Sequence, residues 1–291
     1  MIVSASYRTD IPAFHARWFR QRLAAGEAWV ANPYGGKPYR VSLAGADVDG
    51  FVFWTRNLAP FADALAAVEE KGQPYVVQYT VTGYPDVLET GVPPAEHGIR
   101  QIGRLAARRG PWSAVWRYDP ILLTTLTPAD WHIENFARLA KALANSVDEA
   151  TVSFATIYRK TARNLSAAAK TAGFDWWDPP EDEQKALVAD LAAIADGHGM
   201  KLTVCSQPQL EQAGTTGAAC IDARRLSLVA GYDIRAKRKG NRPGCLCAES
   251  RDIGAYDTCA HGCVYCYAVS DHDRAQQAIR EVDPCAPMLK T

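Results

Sequence analysis

The stretch FVFWTRNLAPFADALAAVEEKGQPYVVQYT, residues 51–80, decides the fold. Its two ends, Phe51–Thr55 and Tyr75–Thr80, are short runs of aromatic and β-branched residues that stay largely apolar on both faces. A strand with one wet face alternates apolar with polar residues, whereas a strand covered on both sides does not. Between the two runs, Pro60–Lys71 carries the periodicity of an amphipathic helix. Strand, helix, strand is the repeating unit of a parallel sheet.

The same alternation recurs on either side. Candidate strands are Ile2–Ser6, Ala114–Tyr118, Thr151–Thr156 and Leu202–Ser206. Candidate helices are Ile11–Ala25, Glu96–Arg109, Pro128–Ala144, Ala162–Ala172 and Glu181–Gly197. Pro128 behind Thr127 is a good helix start and Gly197 a good stop. Six such units predict an α/β fold, an open or partial (β/α)6 TIM-like barrel. Composition changes beyond Gln207, which predicts a barrel-like domain over 1–210 and a cysteine-rich segment over 211–291 packed on the barrel mouth.

Polar residues close the strand runs: Arg8-Thr9-Asp10, Trp54-Thr55-Arg56-Asn57, Gln78, Arg117-Tyr118-Asp119, Tyr158-Arg159-Lys160 and Cys205-Ser206-Gln207. In parallel α/β folds the carboxyl ends of strands share one side, and ligands bind there. These residues predict one polar mouth, unless they only pair with one another at a solvated rim. Trp54, Tyr79, Trp116 and Tyr118 either stack a planar substrate in that mouth or fill the core. Trp176-Trp177 reads equally as a lid or as an anchor for its own loop.

The chain has 291 residues, 48% hydrophobic and 22% charged, with a formal net charge of zero. That is the composition of a globular protein, with no global field to draw in nucleic acid or an anionic membrane. No apolar run approaches the ~20 residues of a membrane helix, and the first residues read as a strand rather than a signal peptide. Cytoplasm is the expected compartment. All eight cysteines lie in the last third, from Cys205 to Cys285. A chain of this size needs no disulfide scaffold, so clustered thiols point to metal.

Cys259-Ala-His-Gly-Cys263-Val-Tyr-Cys266-Tyr holds three thiols at C-x3-C-x2-C spacing. Three thiolates can hold three irons of a [4Fe–4S] cube and leave the fourth iron open; zinc sites usually take four protein donors, often as paired C-x2-C. Gly262 lets backbone approach the inorganic core, and His261 either bonds a sulfur or faces solvent. Cys205, Cys220, Cys245 and Cys247 suffice for an auxiliary [4Fe–4S] cluster, for a structural zinc ion, or for one ligand pair beside inert thiols. Cys285 reads as unbonded.

C-x3-C-x-aromatic-C, with Tyr265 as the aromatic residue, resembles the signature of the radical S-adenosylmethionine (radical SAM) superfamily. The string Cys-Ala-His-Gly-Cys-Val-Tyr-Cys-Tyr-Ala is similar to the spore photoproduct lyase-like branch. The whole chain resembles an uncharacterised bacterial family that carries this motif at its C-terminus. Further matching segments are Tyr-Arg-Thr-Asp-Ile-Pro, Phe-Trp-Thr-Arg-Asn, Trp-Arg-Tyr-Asp-Pro-Ile and Asp-Ile-Gly-Ala-Tyr-Asp.

The resemblance implies an oxygen-sensitive [4Fe–4S] cluster on Cys259, Cys263 and Cys266, with S-adenosyl-L-methionine on the open iron and Tyr265 beside its adenine. It also implies a flavodoxin- or ferredoxin-type electron donor and a small-molecule or nucleotide-containing substrate. Arg8, Asp10, Thr55, Arg56 and Asn57 are stand-in candidates for the other cofactor contacts. Most members carry the cysteine loop after the first barrel strand, near the N-terminus. Here it comes last, but chain termini often lie close together, so a C-terminal loop can return to the mouth that the first strand helps build. Two other functions stay open. One is a nucleic-acid repair or modification enzyme, suggested by the lyase-like motif and by Arg235, Lys237, Arg238, Lys239 and Arg242. The other is a non-enzymatic iron–sulfur or zinc module.

Overall fold

Eight strands, six of them on the predicted runs, make one sheet. The structure, a computed structural model, describes residues 1–32 and 35–290. The strands are β1 (Ile2–Ala5), β2 (Gly50–Thr55), β3 (Tyr75–Thr80), β4 (Ala114–Ile121), β5 (Glu149–Phe154), β6 (Lys201–Val204), β7 (Thr215–Gly217) and β8 (Ser250–Asp252). Their order is β7-β6-β5-β4-β3-β2-β1-β8, and every ladder is parallel. The first seven strands cross the sheet in chain order. The eighth returns to the outer edge of β1, with Ile2, Val3 and Ser4 opposite Ser250, Arg251 and Asp252. Residues 211–291 thus supply both edge strands. Among the described residues no ladder joins β7 to β8.

The helices alternate with the strands: α1 (Ala16–Ala25), α2 (Ala62–Glu70), α3 (Ala95–Arg109), α4 (Ala129–Leu143), α5 (Arg159–Ala172), α6 (Glu181–Gly197), α7 (Ala223–Ala230) and α8 (His272–Glu281). The predicted helix 11–25 is broken. Asp10 caps a single turn, Ile11–Phe14, by accepting from the Ala13 amide at 2.8 Å. His15 then leaves helical geometry and puts Nε2 2.7 Å from the Thr258 carbonyl, so a long-range bond overrides local propensity.

Both faces of the sheet are covered, as its apolar runs require. Phe51, Phe53, Tyr75, Val77, Tyr79, Trp116, Tyr118 and Val152 pack into the main core with Leu65, Ile102, Phe136 and Leu191 of the helices. Ile2, Val52, Val76 and Val115 point the other way, into a second core with Ile221, Leu226, Ile234 and Ala248. The chain beyond β7 therefore lines the face opposite the main helix layer, here called the inner face. Of the four aromatics expected at the mouth, Tyr79, Trp116 and Tyr118 are core; Trp116 stacks on Phe136 with centroids 4.6 Å apart. Only Trp54 turns to the inner face. Trp176-Trp177 pairs antiparallel with Leu123–Thr124 and anchors its own loop. Among the described residues no helix is long and apolar enough to cross a membrane.

One buried polar group of the core, His132, is paired through both ring nitrogens. His132 on α4 lies between the Tyr118 hydroxyl, 2.8 Å from Nδ1, and the Leu122 carbonyl, 3.1 Å from Nε2. Burial pulls its pKa from the ordinary 6.5 down to about 4. The native ring thus stays neutral while the unfolded chain gains a proton near its ordinary value. Stability is lost as pH falls from about 6.5 to about 4, by on the order of 3 kcal/mol from this residue. Urea titrations across that window should show the fall, and a shallower fall in His132→Gln.

Candidate metal centre

The cysteine loop begins where β8 ends, and a buried carboxylate fixes that point. Asp252 accepts from the Ser4 and Ser6 hydroxyls at 2.8 Å each, from the Tyr7 amide at 3.1 Å and from the Gly254 amide at 2.9 Å. The Arg8 guanidinium stands 3.6 Å away. A side chain at Gly254 would overlap the Ser6 hydroxyl, so the turn out of β8 requires glycine. Further on, the Thr258 carbonyl accepts from the Thr9 hydroxyl at 2.9 Å and meets His15. The C-terminal segment is thereby laced to the residues that follow β1.

The loop is held equally by the segments after β2 and β3. His261 is buried, with Nε2 2.7 Å from Asp10 Oδ2 and Nδ1 3.2 Å from the Gly91 carbonyl, so neither nitrogen is on a sulfur. The Gly91 amide donates back to the His261 carbonyl at 2.8 Å, the Val264 amide donates to Leu88, and Glu89 bridges Cys263. Backbones approach so closely that a Cβ on Gly91 would sit 2.7 Å from the Ala260 carbonyl oxygen. Gly262 has φ +67°, a left-handed conformation that glycine adopts without penalty.

Arg56 is the centre of this docking. Its amide donates to Asp10 at 2.8 Å, and its guanidinium reaches Tyr265 at 2.7 Å, Glu89 at 2.9 Å and Thr82 at 3.1 Å. The Tyr265 and Thr82 hydroxyls in turn donate to Glu89. The Tyr265 ring is buried against Tyr84, which leaves its backbone edge as the part it can offer a ligand. Arg8, Asp10 and Arg56 are therefore brought to the loop. Thr55 and Asn57 are not: the Thr55 hydroxyl accepts from the Asn57 backbone amide, and Asn57 Oδ1 accepts from the Gln101 side chain on α3. Sequence patterning does not single out Thr82, Glu89, Gly91 or Asp252 as site residues; for Glu89 the available signal is an acidic residue near Gly91 in the long connection after a strand. A cavity of about 260 Å³ lies behind the Arg56–Glu89 pair, lined also by Thr82, Tyr84, Glu96 and Arg138.

Cys263 is buried, and Cys259 and Cys266 are partly so. Burial raises all three thiols, Cys263 to about 12 against the opposing pull of Arg56. Each of Cys259 and Cys263 is raised further by neighbouring thiols, which places the three sulfurs within electrostatic reach of one another. Among the described residues no three His, Cys, Asp or Glu side chains converge on one point as ligands of a single ion do. A cube asks for something different, because each thiolate takes its own iron. Cys259, Cys263 and Cys266 supply three soft donors on one glycine-containing loop, the donor type that group takes.

The second thiol set assembles on the inner face. Cys205 leaves the end of β6, Cys220 lies between β7 and α7, and Cys245 and Cys247 come from the loop before β8. Cys205 and Cys220 sulfurs are 3.5 Å apart, Cys220 contacts Cys247, and Cys247 contacts Cys245. Its hydrogen bond from Cys247 pulls Cys245 down to about 5. Arg117 Nη1 lies 2.9 Å from the Cys220 sulfur and Arg242 Nη2 lies 3.6 Å from that of Cys205. In the rest of the basic run, Arg235 pairs with Asp233 and Lys239 with Glu249. Cys285 is exposed.

Residues 2–268 match the family described as a domain of unknown function (DUF1848), and the chain belongs to that family. No curated protein matches it.

Removing the Asp252 carboxylate leaves two hydroxyls, two amides and Arg8 without their acceptor. Asp252→Ala should cost about 3–5 kcal/mol in urea denaturation. A cost below about 1 kcal/mol would show that β8 is held by other contacts.

Proposed function

We propose that this member of the family is a radical S-adenosylmethionine enzyme, with a [4Fe–4S] cluster on Cys259, Cys263 and Cys266 and a permuted, partial (β/α) barrel around it. The observation that carries the reading is the position of β8. It lies parallel to β1 at the sheet edge, with the cysteine loop at its carboxyl end. A loop that is last in the chain thus follows the strand that is first in space, which is where the resembled enzymes carry theirs.

When bound, the cluster supplies the electron that cleaves S-adenosylmethionine to methionine and a 5′-deoxyadenosyl radical. The chain's own residues position and shield it. Arg56, Glu89 and Asp10 hold the loop against three strand ends. Burial of the loop excludes water, and the raised thiols release protons as metal binds. On the inner face nearby, Arg8 lies over the rings of Tyr7 and Tyr256, and Arg117 over Trp54. Cations and aromatic faces suit a small, planar or anionic substrate, including a nucleotide-containing one. A flavodoxin- or ferredoxin-type donor in the reducing cytoplasm completes the scheme. Nucleic acid draws less support, because Arg242 turns inward and Arg235 and Lys239 are paired.

The test is reductant-dependent formation of 5′-deoxyadenosine by protein reconstituted without oxygen. Wild type should form it, and Cys259→Ala/Cys263→Ala/Cys266→Ala should form none above background. A fully iron-loaded wild type that leaves S-adenosylmethionine intact would overturn the reading.

A further inference from the structure

We infer that Cys205, Cys220, Cys245 and Cys247 ligate a second, thiophilic metal centre, closed by protein on all four sides. The inference stands apart from the radical SAM reading and uses different residues. Three stretches of chain with no local reason to meet bring four thiols together inside the protein: the end of β6, the β7–α7 connection and the loop before β8. Soft, anionic sulfur donors in that number select zinc or an iron–sulfur cluster over hard cations.

Two guanidinium groups face this thiol set. Arg117 is buried, has Asp119 as its carboxylate partner, and turns its other nitrogen on the Cys220 sulfur at 2.9 Å. Arg242 approaches the Cys205 sulfur at 3.6 Å. A guanidinium hydrogen bond gains most when its acceptor is charged. Two cations against Asp119 leave a positive balance that the net negative charge of a tetrathiolate centre offsets. The Ile221 amide also donates to the Cys247 sulfur at 3.3 Å, the kind of outer contact that orients a metal ligand.

The backbone is folded tightly enough to deliver the last two thiols. The Cys245 amide donates to the Arg242 carbonyl, and the Lys239 amide to that of Cys247. A Cβ at Gly240 would overlap the Cys245 carbonyl. The four sulfurs form a chain, Cys205 to Cys220 to Cys247 to Cys245, rather than a closed group. Tetrahedral zinc at ~2.3 Å from each sulfur sets neighbouring sulfurs ~3.8 Å apart. The observed contact of 3.5 Å lies near that spacing, and the inference requires the partly exposed Cys245 end to turn in towards the other three sulfurs. A centre with four protein donors has no open position, so its work is to brace the inner face or relay electrons. Arg242, at the Cys205 sulfur, is also within electrostatic reach of Tyr267, the residue after Cys266.

The test counts iron, zinc and acid-labile sulfide in full-length protein purified without oxygen. Three proteins are compared: wild type, Cys259→Ala/Cys263→Ala/Cys266→Ala, and Cys245→Ser/Cys247→Ser. The triple variant should keep one centre, about four irons with matching sulfide or about one zinc. The double variant should lose that share and keep the rest. A triple variant without metal overturns the inference. If it instead carries as much metal as wild type, this site stands and the reading of the cysteine loop falls. Should the double variant fail to fold, iodoacetamide labelling of native wild type supplies the answer. Cys245 should resist alkylation while metal is present and react after chelation; equal reactivity before and after overturns the site.

Discussion

The buried carboxylate of Asp252 ties the end of the chain to its beginning. Four neutral donors and Arg8 surround it in a place with almost no water. Burial alone drives its pKa up, and Arg8 with the hydrogen bonds pulls it back, so desolvation and compensation are held in opposition at one group. A charge in that position is costly unless every partner is in place. The carboxylate therefore specifies one register of β8 on β1, and with it the point from which the cysteine loop departs.

That register decides what the two faces of the sheet become. On one face aromatic and aliphatic residues from β2, β3 and β4 meet the main helix layer in a dry core. On the other, Ser4, Trp54, Gln78 and Arg117 interrupt the apolar residues, and the chain after β7 packs into the space. Gln78 donates to the Cys220 carbonyl and Arg117 reaches its sulfur, so polar positions on the strands have partners in the covering segment. The polar residues at the strand ends are not a loose rim. Asp10 and Glu89 are buried and Arg56 partly so, and all three are committed to holding the loop, as Arg8 and Asp252 are to holding β8.

The strands that carry the core were legible because burial on both faces leaves a mark in composition, as in Phe51-Val-Phe-Trp and Tyr75-Val-Val-Gln-Tyr. β7 and β8 left none. Thr-Thr-Gly and Ser-Arg-Asp have no apolar pattern, and each is a strand only because a neighbour offers an edge. The same holds for the site. Spacing singled out Cys259, Cys263 and Cys266, since their relation is local. Glu89 and Gly91 act through contacts with residues far along the chain, and no local pattern encodes a partner at that distance. His261 looked like a sulfur partner or an exposed loop residue, and its real partners, Asp10 and Gly91, are likewise remote in sequence.

A mouth finished by the last strand has a consequence for assembly. Contacts between β8 and β1 close nearly the whole chain into a loop, so their entropic cost falls due only once β1 to β6 have a surface to receive them. The segments after β1, β2 and β3 meet one another without the cysteine loop, through the Asp10–Arg56 and Arg56–Glu89 bonds. The loop then adds Tyr265 and His261 to a frame that already exists. Order in space, not order in sequence, is what a parallel sheet presents at its carboxyl edge. The last strand of the chain therefore takes its place beside the first, in the register that the buried Asp252 carboxylate fixes.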